Sequence, residues 1–275
     1  MNVKKWKHPV SRSIVKLAVG CWILGICTFA YCVSPSDSVA RMEFKSGHET
    51  RDTGLFGDYW WANRFLNHHR QIEALNGKPV DLVMLGDSIT HFWEWHWKSW
   101  AKFTKDLTVF NFGYRGDATH NLIWRIEHGE LDGFKAKCIV LMIGTNNNWP
   151  ESSNPVAVAE AIKKIVGMIR ERQPQAKLVM HPIFPRGNAP GSPKDVSSST
   201  RNKKTNEIIE KFVKEDGKIV WIDFSDKLVD ETGWVPKSIM PDGLHPSDAG
   251  YEIWMNALKP ITDELRQNSK SENSK

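Results

Sequence analysis

Cysteine is scarce: of four in the chain, Cys21, Cys27 and Cys32 lie within the first 32 residues, leaving only Cys138 further on. A disulfide-stapled scaffold is excluded for everything past residue 40, and Cys138, followed by Ile139-Val140-Leu141, reads as a small buried hydrophobe. Basic runs are missing too. The formal charge is +5, but Lys4, Lys5, Lys7, Arg12 and Lys16 against Asp37 place +4 of it in residues 1–40. The remainder is near balance and lacks the clustered Lys and Arg of a nucleic-acid-binding face, so nucleic acid is set aside as a partner. Neither G-x-G-x-x-G nor a Walker A pattern occurs, and no phosphate cradle is encoded. His91 and His96 have no cysteines or carboxylates at metal-site spacing, so neither a metal nor a cofactor is expected. There is no internal repeat.

Long hydrophobic runs are absent apart from one. Residues 17–33 are uncharged and largely apolar, preceded by a basic start and followed by small and polar residues through Ala40. This is the pattern of an export segment, with Ser38 and Ala40 forming an A-x-A-like cleavage site before Arg41. The apolar length lies between a signal core and a bilayer span, so a cleaved signal peptide and a membrane anchor through residues 17–33 both remain open. The expected organisation is a leader over 1–40, a linker over 41–58, one folded domain over 59–266 and a disordered polar tail over 267–275. The folded part is expected outside the cytoplasm, whether periplasmic, secreted or anchored.

Past the leader, short apolar runs rich in β-branched residues alternate with longer amphipathic stretches. This is the signature of a doubly wound α/β domain, a parallel sheet with helices on both faces. Strands are predicted at 81–85, 108–112, 138–143, 177–181 and 219–222, each apolar enough for burial on both sides. Helices are predicted at 59–76, within 92–105, and at 121–130, 156–173, 200–215 and 248–266. Two stretches break the rhythm, 185–199 and 223–246, and both are expected to be surface loops. The second is long enough to suggest a functional element.

Four short blocks carry the chemistry. Gly86-Asp87-Ser88 stands where the first strand ends and a helix begins. By itself it is also a good turn with a helix cap. Asp242-Gly243-Leu244-His245-Pro246 precedes the last helix. An Asp three residues before a His can turn its carboxylate onto Nδ1 and leave Nε2 to accept a proton, although the same pair also makes an ordinary turn. Gly113-Tyr114-Arg115-Gly116-Asp117 follows the second strand and Gly144-Thr145-Asn146-Asn147 the third. They supply a backbone N–H at Gly116 and a side-chain amide at Asn146, the donors that charge developing on a carbonyl oxygen requires. In a parallel sheet all strand carboxyl ends share one edge, so Ser88, Gly116, Asn146 and His245 can converge there.

These blocks resemble, in order and spacing, the signature blocks of SGNH (GDSL-like) hydrolases. They are most similar to the catalytic subunits of intracellular platelet-activating-factor acetylhydrolase and bacterial relatives. Asn111-Phe112-Gly113, the run 122–131, Gly144-Thr145-Asn146-Asn147 and Pro185-Arg186-Gly187 extend the similarity over about 59–265. The resemblance implies a three-layer α/β/α flavodoxin-like fold with a five-stranded parallel sheet and metal-free acyl-ester hydrolysis. By the same matching, Ser88, Asp242 and His245 take the catalytic triad. The Ser88 and Gly116 amides and the Asn146 side chain take the oxyanion hole.

Candidate substrate contacts are Asp87, Arg115, Trp93 and His120. Arg115 stands where those relatives usually carry a small residue, and is either a contact for an acidic or polyhydroxyl substrate or a solvated loop cation. The segment His91-Phe92-Trp93-Glu94-Trp95-His96-Trp97 is aromatic enough for a sugar-stacking wall, although at least half of it is expected to be core. His68, His69 and His120 read as surface histidines. The expected function is a serine esterase acting on short-chain, chiefly acetyl, esters, with a small-molecule or carbohydrate ester as substrate and a carbohydrate O-acetylesterase as the leading form. A lysophospholipase or general short-chain carboxylesterase is the alternative. A non-catalytic binding module on the same crevice is a further one.

Overall fold

A computed structural model describes residues 60–147, 154–189 and 191–273. The leader and the linker lie outside the described residues. In chain order the elements are α1 (Trp60–Leu75), β1 (Val80–Gly86), α2 (Ser88–His91), a 3-10 turn (Phe92–Trp95), α3 (Trp97–Thr104), β2 (Val109–Gly113), α4 (Thr119–Glu127) and β3 (Ala136–Met142). They continue with α5 (Pro155–Arg172), β4 (Lys177–Met180), α6 (Pro193–Asp216), β5 (Val220–Trp221) and α7 (Asp248–Asn273).

The five strands form one parallel sheet in the order β2-β1-β3-β4-β5. Every residue of β1 is buried, as expected for a strand covered on both faces. Because successive side chains point to opposite faces, β1 divides its apolar residues between two cores. Val83 and Leu85 pack with Leu122 and Ile126 of α4, Ile162 and Ile165 of α5, and Ile209 of α6. Leu82 and Met84 pack with Trp93, Phe103 of α3, and Trp254 and Leu258 of α7. The result is the expected three-layer α/β/α architecture. Strand order reverses beside β1, since β2 lies on one side and β3 on the other. Such a switch point opens a crevice at the carboxyl ends of the strands.

Two boundaries differ from the expected ones for local physical reasons. Helix α6 begins at Pro193, inside the stretch expected to be loop. The Ser192 side chain accepts from Asp195 N at 3.3 Å, and Pro occupies the first turn, where its missing N–H costs nothing. A Pro- and Ser-rich stretch is thus a helix start. Helix α7 runs on to Asn273, through most of the tail expected to be disordered. Its end is held by Ser269, whose hydroxyl donates to Asp81 Oδ1 at 2.9 Å. Asp81 also accepts from Thr108 N at 2.8 Å, so the tail is stapled to the sheet's amino edge.

His181, just past β4, is buried with both ring nitrogens engaged. Nδ1–H donates to Ile222 O at 2.8 Å, and Nε2 accepts from Trp254 Nε1–H at 2.9 Å. Burial lowers its pKa to about 4. The unfolded chain takes up a proton near the ordinary value of 6.5 and the native chain does not, so stability is lost as pH falls from about 6.5 towards about 4. His181→Gln retains an amide donor and acceptor without the proton site. Its unfolding free energy is expected to fall less steeply over that range than that of the wild type, by up to about 1.4 kcal/mol per pH unit. Urea unfolding at a series of pH values measures the difference, and equal slopes would contradict it.

Candidate active site

The β1 strand ends at Gly86, where a side chain cannot fit: a Cβ there would sit 2.1 Å from Thr90 Oγ1 and 2.6 Å from Met142 O. Asp87 caps the short helix α2 with Oδ1 accepting from Ile89 N at 2.9 Å. Ser88 becomes the first helical residue, and its N–H is among those a helix start leaves without an intrahelical partner. Asp87 itself is fully buried, its pKa raised to about 7 by that burial. It is a cap beneath the nucleophile candidate, not the substrate contact expected.

The loop before α7 brings the imidazole across. Asp242 divides its oxygens: Oδ1 accepts from Leu244 N at 3.0 Å and His245 N at 2.8 Å, and Oδ2 lies 2.6 Å from His245 Nδ1. The turn role and the histidine-orienting role, which the sequence leaves as alternatives, are both performed by one carboxylate. Burial opposes its ionisation, but these bonds from His245 and Leu244 hold its pKa below the usual value. With Nδ1–H donating to Asp242, Nε2 is the acceptor, and it stands 2.9 Å from Ser88 Oγ. A hydroxyl so placed can pass its proton to the ring as it attacks an electrophilic carbon.

Three braces hold this loop. Gly187 N donates to Gly243 O at 2.7 Å, and Asn188 Nδ2 donates to Val235 O at 2.7 Å and Met240 O at 3.1 Å. Tyr251 of α7 donates its hydroxyl to Ile89 O at 2.7 Å, tying the helix that follows His245 to the one that begins at Ser88. The 185–189 segment is therefore structural support for the site and is partly buried, not the exposed loop expected.

Gly116 adopts φ +79°, a backbone state that L side chains rarely reach. Asn146 donates from Nδ2 to Asp117 O at 3.0 Å, which leaves the second amide hydrogen for another acceptor. Asn147 fixes the same junction, with Oδ1 accepting from Thr119 N at 3.2 Å and Nδ2 donating to Thr119 Oγ1 at 2.8 Å. The blocks after β2 and β3 are thus clamped together by two neighbouring asparagines. From behind, Arg186 and Arg201 both donate to Thr145 O, at 3.2 and 2.8 Å.

Underneath lies a buried ionic cluster that the motif reading did not find. Arg125 is fully buried; Nε donates to Asp117 Oδ2 at 2.9 Å and Nη1 to Glu130, and its guanidinium lies 3.9 Å from the centre of the Tyr114 ring. It also donates to Phe112 O and Gly86 O, each at 3.3 Å, and so holds the carboxyl ends of β2 and β1. Trp61 of α1 donates its indole N–H to Asp117 Oδ1 at 2.7 Å. Burial pushes Asp117 up to about 6. His68, expected at the surface, is buried in this cluster with Nδ1 2.8 Å from Tyr114 Oη, and burial lowers its pKa to about 4. The run 122–131 noted in the sequence contains Arg125 and Glu130, but helical periodicity cannot tell a buried arginine from a solvated one.

Of the other candidate contacts, Trp93 is 0% exposed. Its indole N–H donates to Ser99 Oγ at 3.0 Å, and its ring stacks with Phe103, Tyr251 and Trp254. Trp93 belongs to the core, which corrects its assignment to the substrate wall. Arg115 lays its guanidinium 4.8 Å from the centre of the Trp60 ring. His120 is exposed in the first turn of α4. His91 and His96 do not act together: His91 stacks on Trp60 at 5.6 Å, whereas His96 Nδ1 meets Asp248 Oδ1 at 2.6 Å. Phe92, which the sequence offered only as part of an aromatic run, packs its ring 4.8 Å from that of His245.

A family model of GDSL-like lipases and acylhydrolases matches residues 84–253. Human platelet-activating factor acetylhydrolase IB subunit alpha1 is 31% identical over 205 residues, 74% of this chain and 84% of that protein. Among solved structures, a GDSL-like lipase from Bacteroides thetaiotaomicron superposes with a TM-score of 0.60 at 19% identity, covering 73% of this chain and 97% of that one. An acetylxylan esterase from Geobacillus stearothermophilus gives 0.51 at 18% identity, covering 68% and 95%. The chain belongs to the GDSL-like lipase/acylhydrolase family, and is a carboxylic ester hydrolase.

Proposed function

We propose that the protein is a serine esterase that removes short acyl groups, acetyl above all, from carbohydrate esters outside the cytoplasm. The observation that carries the catalytic part is the 2.9 Å contact of Ser88 Oγ with His245 Nε2, backed by Asp242 at 2.6 Å. In the proposed cycle His245 takes the Ser88 proton as Oγ bonds to the ester carbon. The oxyanion rests on the Ser88 and Gly116 N–H groups and the free amide hydrogen of Asn146. The carbon–alcohol bond then breaks, and the alcohol leaves with the proton held by His245. Water repeats the sequence in the second half: it loses a proton to His245, bonds to the acyl carbon, and the acid departs as Ser88 recovers its proton.

The acyl preference is supported by what two similar proteins are named for. One is an acetylhydrolase subunit 31% identical to this chain, and the other, alike in fold, is an acetylxylan esterase. The apolar stretch at 17–33 supports export, and the acetylxylan esterase alike in fold supports a carbohydrate ester as substrate. Arg115 and His120 stand on the loop and helix beside Gly116 and are the proposed contacts for the alcohol part.

Ser88→Ala and His245→Ala are each expected to lower kcat on an acetyl ester by about a thousandfold or more while leaving the circular dichroism spectrum unchanged. Asp242→Asn should lose less, because the carboxylate orients the ring without reacting. Full activity in either of the first two variants would remove the mechanism. Asn146→Ala should cost about a hundredfold in kcat with little change in KM; a purely KM effect would take Asn146 out of the oxyanion hole. For substrate, acetate release from acetylated xylan is expected to exceed fatty-acid release from lysophosphatidylcholine. The reverse order would favour a lysophospholipase.

A further inference from the structure

Beside the imidazole lies an aromatic surface that the mechanism does not use. The 3-10 turn Phe92–Trp95 follows α2 directly, so it is fixed to the nucleophile's helix. In a 3-10 helix residues i and i+3 eclipse one another, and Phe92 and Trp95 accordingly stack at 4.1 Å with planes 15° apart. The two residues between them point elsewhere and anchor the turn. Trp93 enters the core, and Glu94 takes both Arg64 Nη atoms at 3.2 and 3.3 Å. Past the turn, His96 binds Asp248 at 2.6 Å, so the turn is also fastened to the first residue of α7. Trp95 is thereby held out, 58% exposed, on a rigid support. One face of its partner Phe92 leads to His245 at 4.8 Å.

We infer that Trp95, backed by Phe92, is a stacking platform for a sugar ring of the substrate, and that the preferred substrate is an acetylated oligosaccharide. The inference rests on the carbohydrate-ester reading above. The electron-rich indole face attracts the polarised C–H groups on the flat face of a pyranose. The surface reaches the reacting groups through two ring contacts, Trp95 on Phe92 and Phe92 on His245, and so stands beside the site where a neighbouring sugar of an oligosaccharide would lie. Past the turn the surface is polar, with His96 and the exposed Asp248 offering groups suited to hydroxyls, whereas an acyl chain needs an enclosed apolar channel. Trp97 is 67% exposed but stands apart. Among the described residues no aromatic ring stacks on it, and Lys98 Nζ lies 5.6 Å from its centre.

The test compares Trp95→Ala, Trp95→Phe and Trp97→Ala in the full-length protein, with acetylated xylohexaose and p-nitrophenyl acetate as substrates. Trp95→Ala is expected to lower the ratio of kcat/KM for the oligosaccharide over that for the aryl ester by about tenfold, mainly through KM, the size of one aromatic stacking contact. Trp95→Phe should recover most of it, and Trp97→Ala should move the ratio by less than about twofold. A second arm removes the chemistry: unacetylated xylohexaose is titrated into Ser88→Ala and into the Ser88→Ala, Trp95→Ala double variant, with about a tenfold loss of affinity expected in the latter. Binding through Trp95 without acetate release by the wild type would keep the platform and remove the proposed activity. Acetate release with an unchanged ratio in Trp95→Ala would remove the platform alone. Equal ratio losses in Trp95→Ala and Trp97→Ala, or loss only of binding to phosphatidylcholine vesicles, would assign the surface to general apolar or membrane contact and overturn the inference.

Discussion

Ser88 and His245 are 157 positions apart in the chain and 2.9 Å apart in space, and neither residue makes that distance by itself. Each is set by a short helix start or turn whose geometry is local. Asp87 caps α2 and Asp242 closes its own turn. What brings them together is the tertiary frame: α7 packed across one face of β1 and Tyr251 bonded to Ile89 O. The loop bonds from Gly187 and Asn188 then fix the approach of the histidine.

The Arg125 cluster addresses a second constraint. At the carboxyl ends of β1 and β2, Arg125 donates to Gly86 O and Phe112 O from within, adding to the bond that Gly86 O accepts from Tyr114 N at 3.1 Å. Such a buried ion network is weak evidence of net stabilisation, since desolvation offsets the attraction, yet removing one member would leave unpaired charge and cost about 3–5 kcal/mol. Its value lies in specifying one arrangement of the strand ends. The Asn146 and Asn147 clamps then register the β3 loop against the same frame.

How much of this could be read in the sequence follows from how local each feature is. Strand positions were legible within a residue or two because fully buried strands leave continuous apolar runs, and the four motif blocks were legible because each is a contiguous turn at a strand end. The start of α6 was not, since Ser192 and Pro193 signal a helix cap only in context and otherwise read as loop. Nor was the fate of Trp93 and Asp87, both close to Ser88 in sequence but turned inward by the sheet packing. His68 and Arg125 were hidden for a related reason: a buried polar residue is defined by partners from other elements, here Tyr114, Asp117 and Glu130, which no periodicity reports. Within the aromatic segment, the pattern of one ring in and one ring out came from a 3-10 turn, a period that neither strand nor α-helix templates search for.

The acyl transfer proposed for Ser88 can be measured without knowing the substrate. Incubation with a fluorophosphonate followed by peptide mass spectrometry tests it directly. The account predicts stoichiometric phosphonylation of Ser88, abolished in His245→Ala and accompanied by loss of esterase activity. An unlabelled Ser88 in a protein that still hydrolyses acetyl esters, or a label carried by another residue, would contradict it.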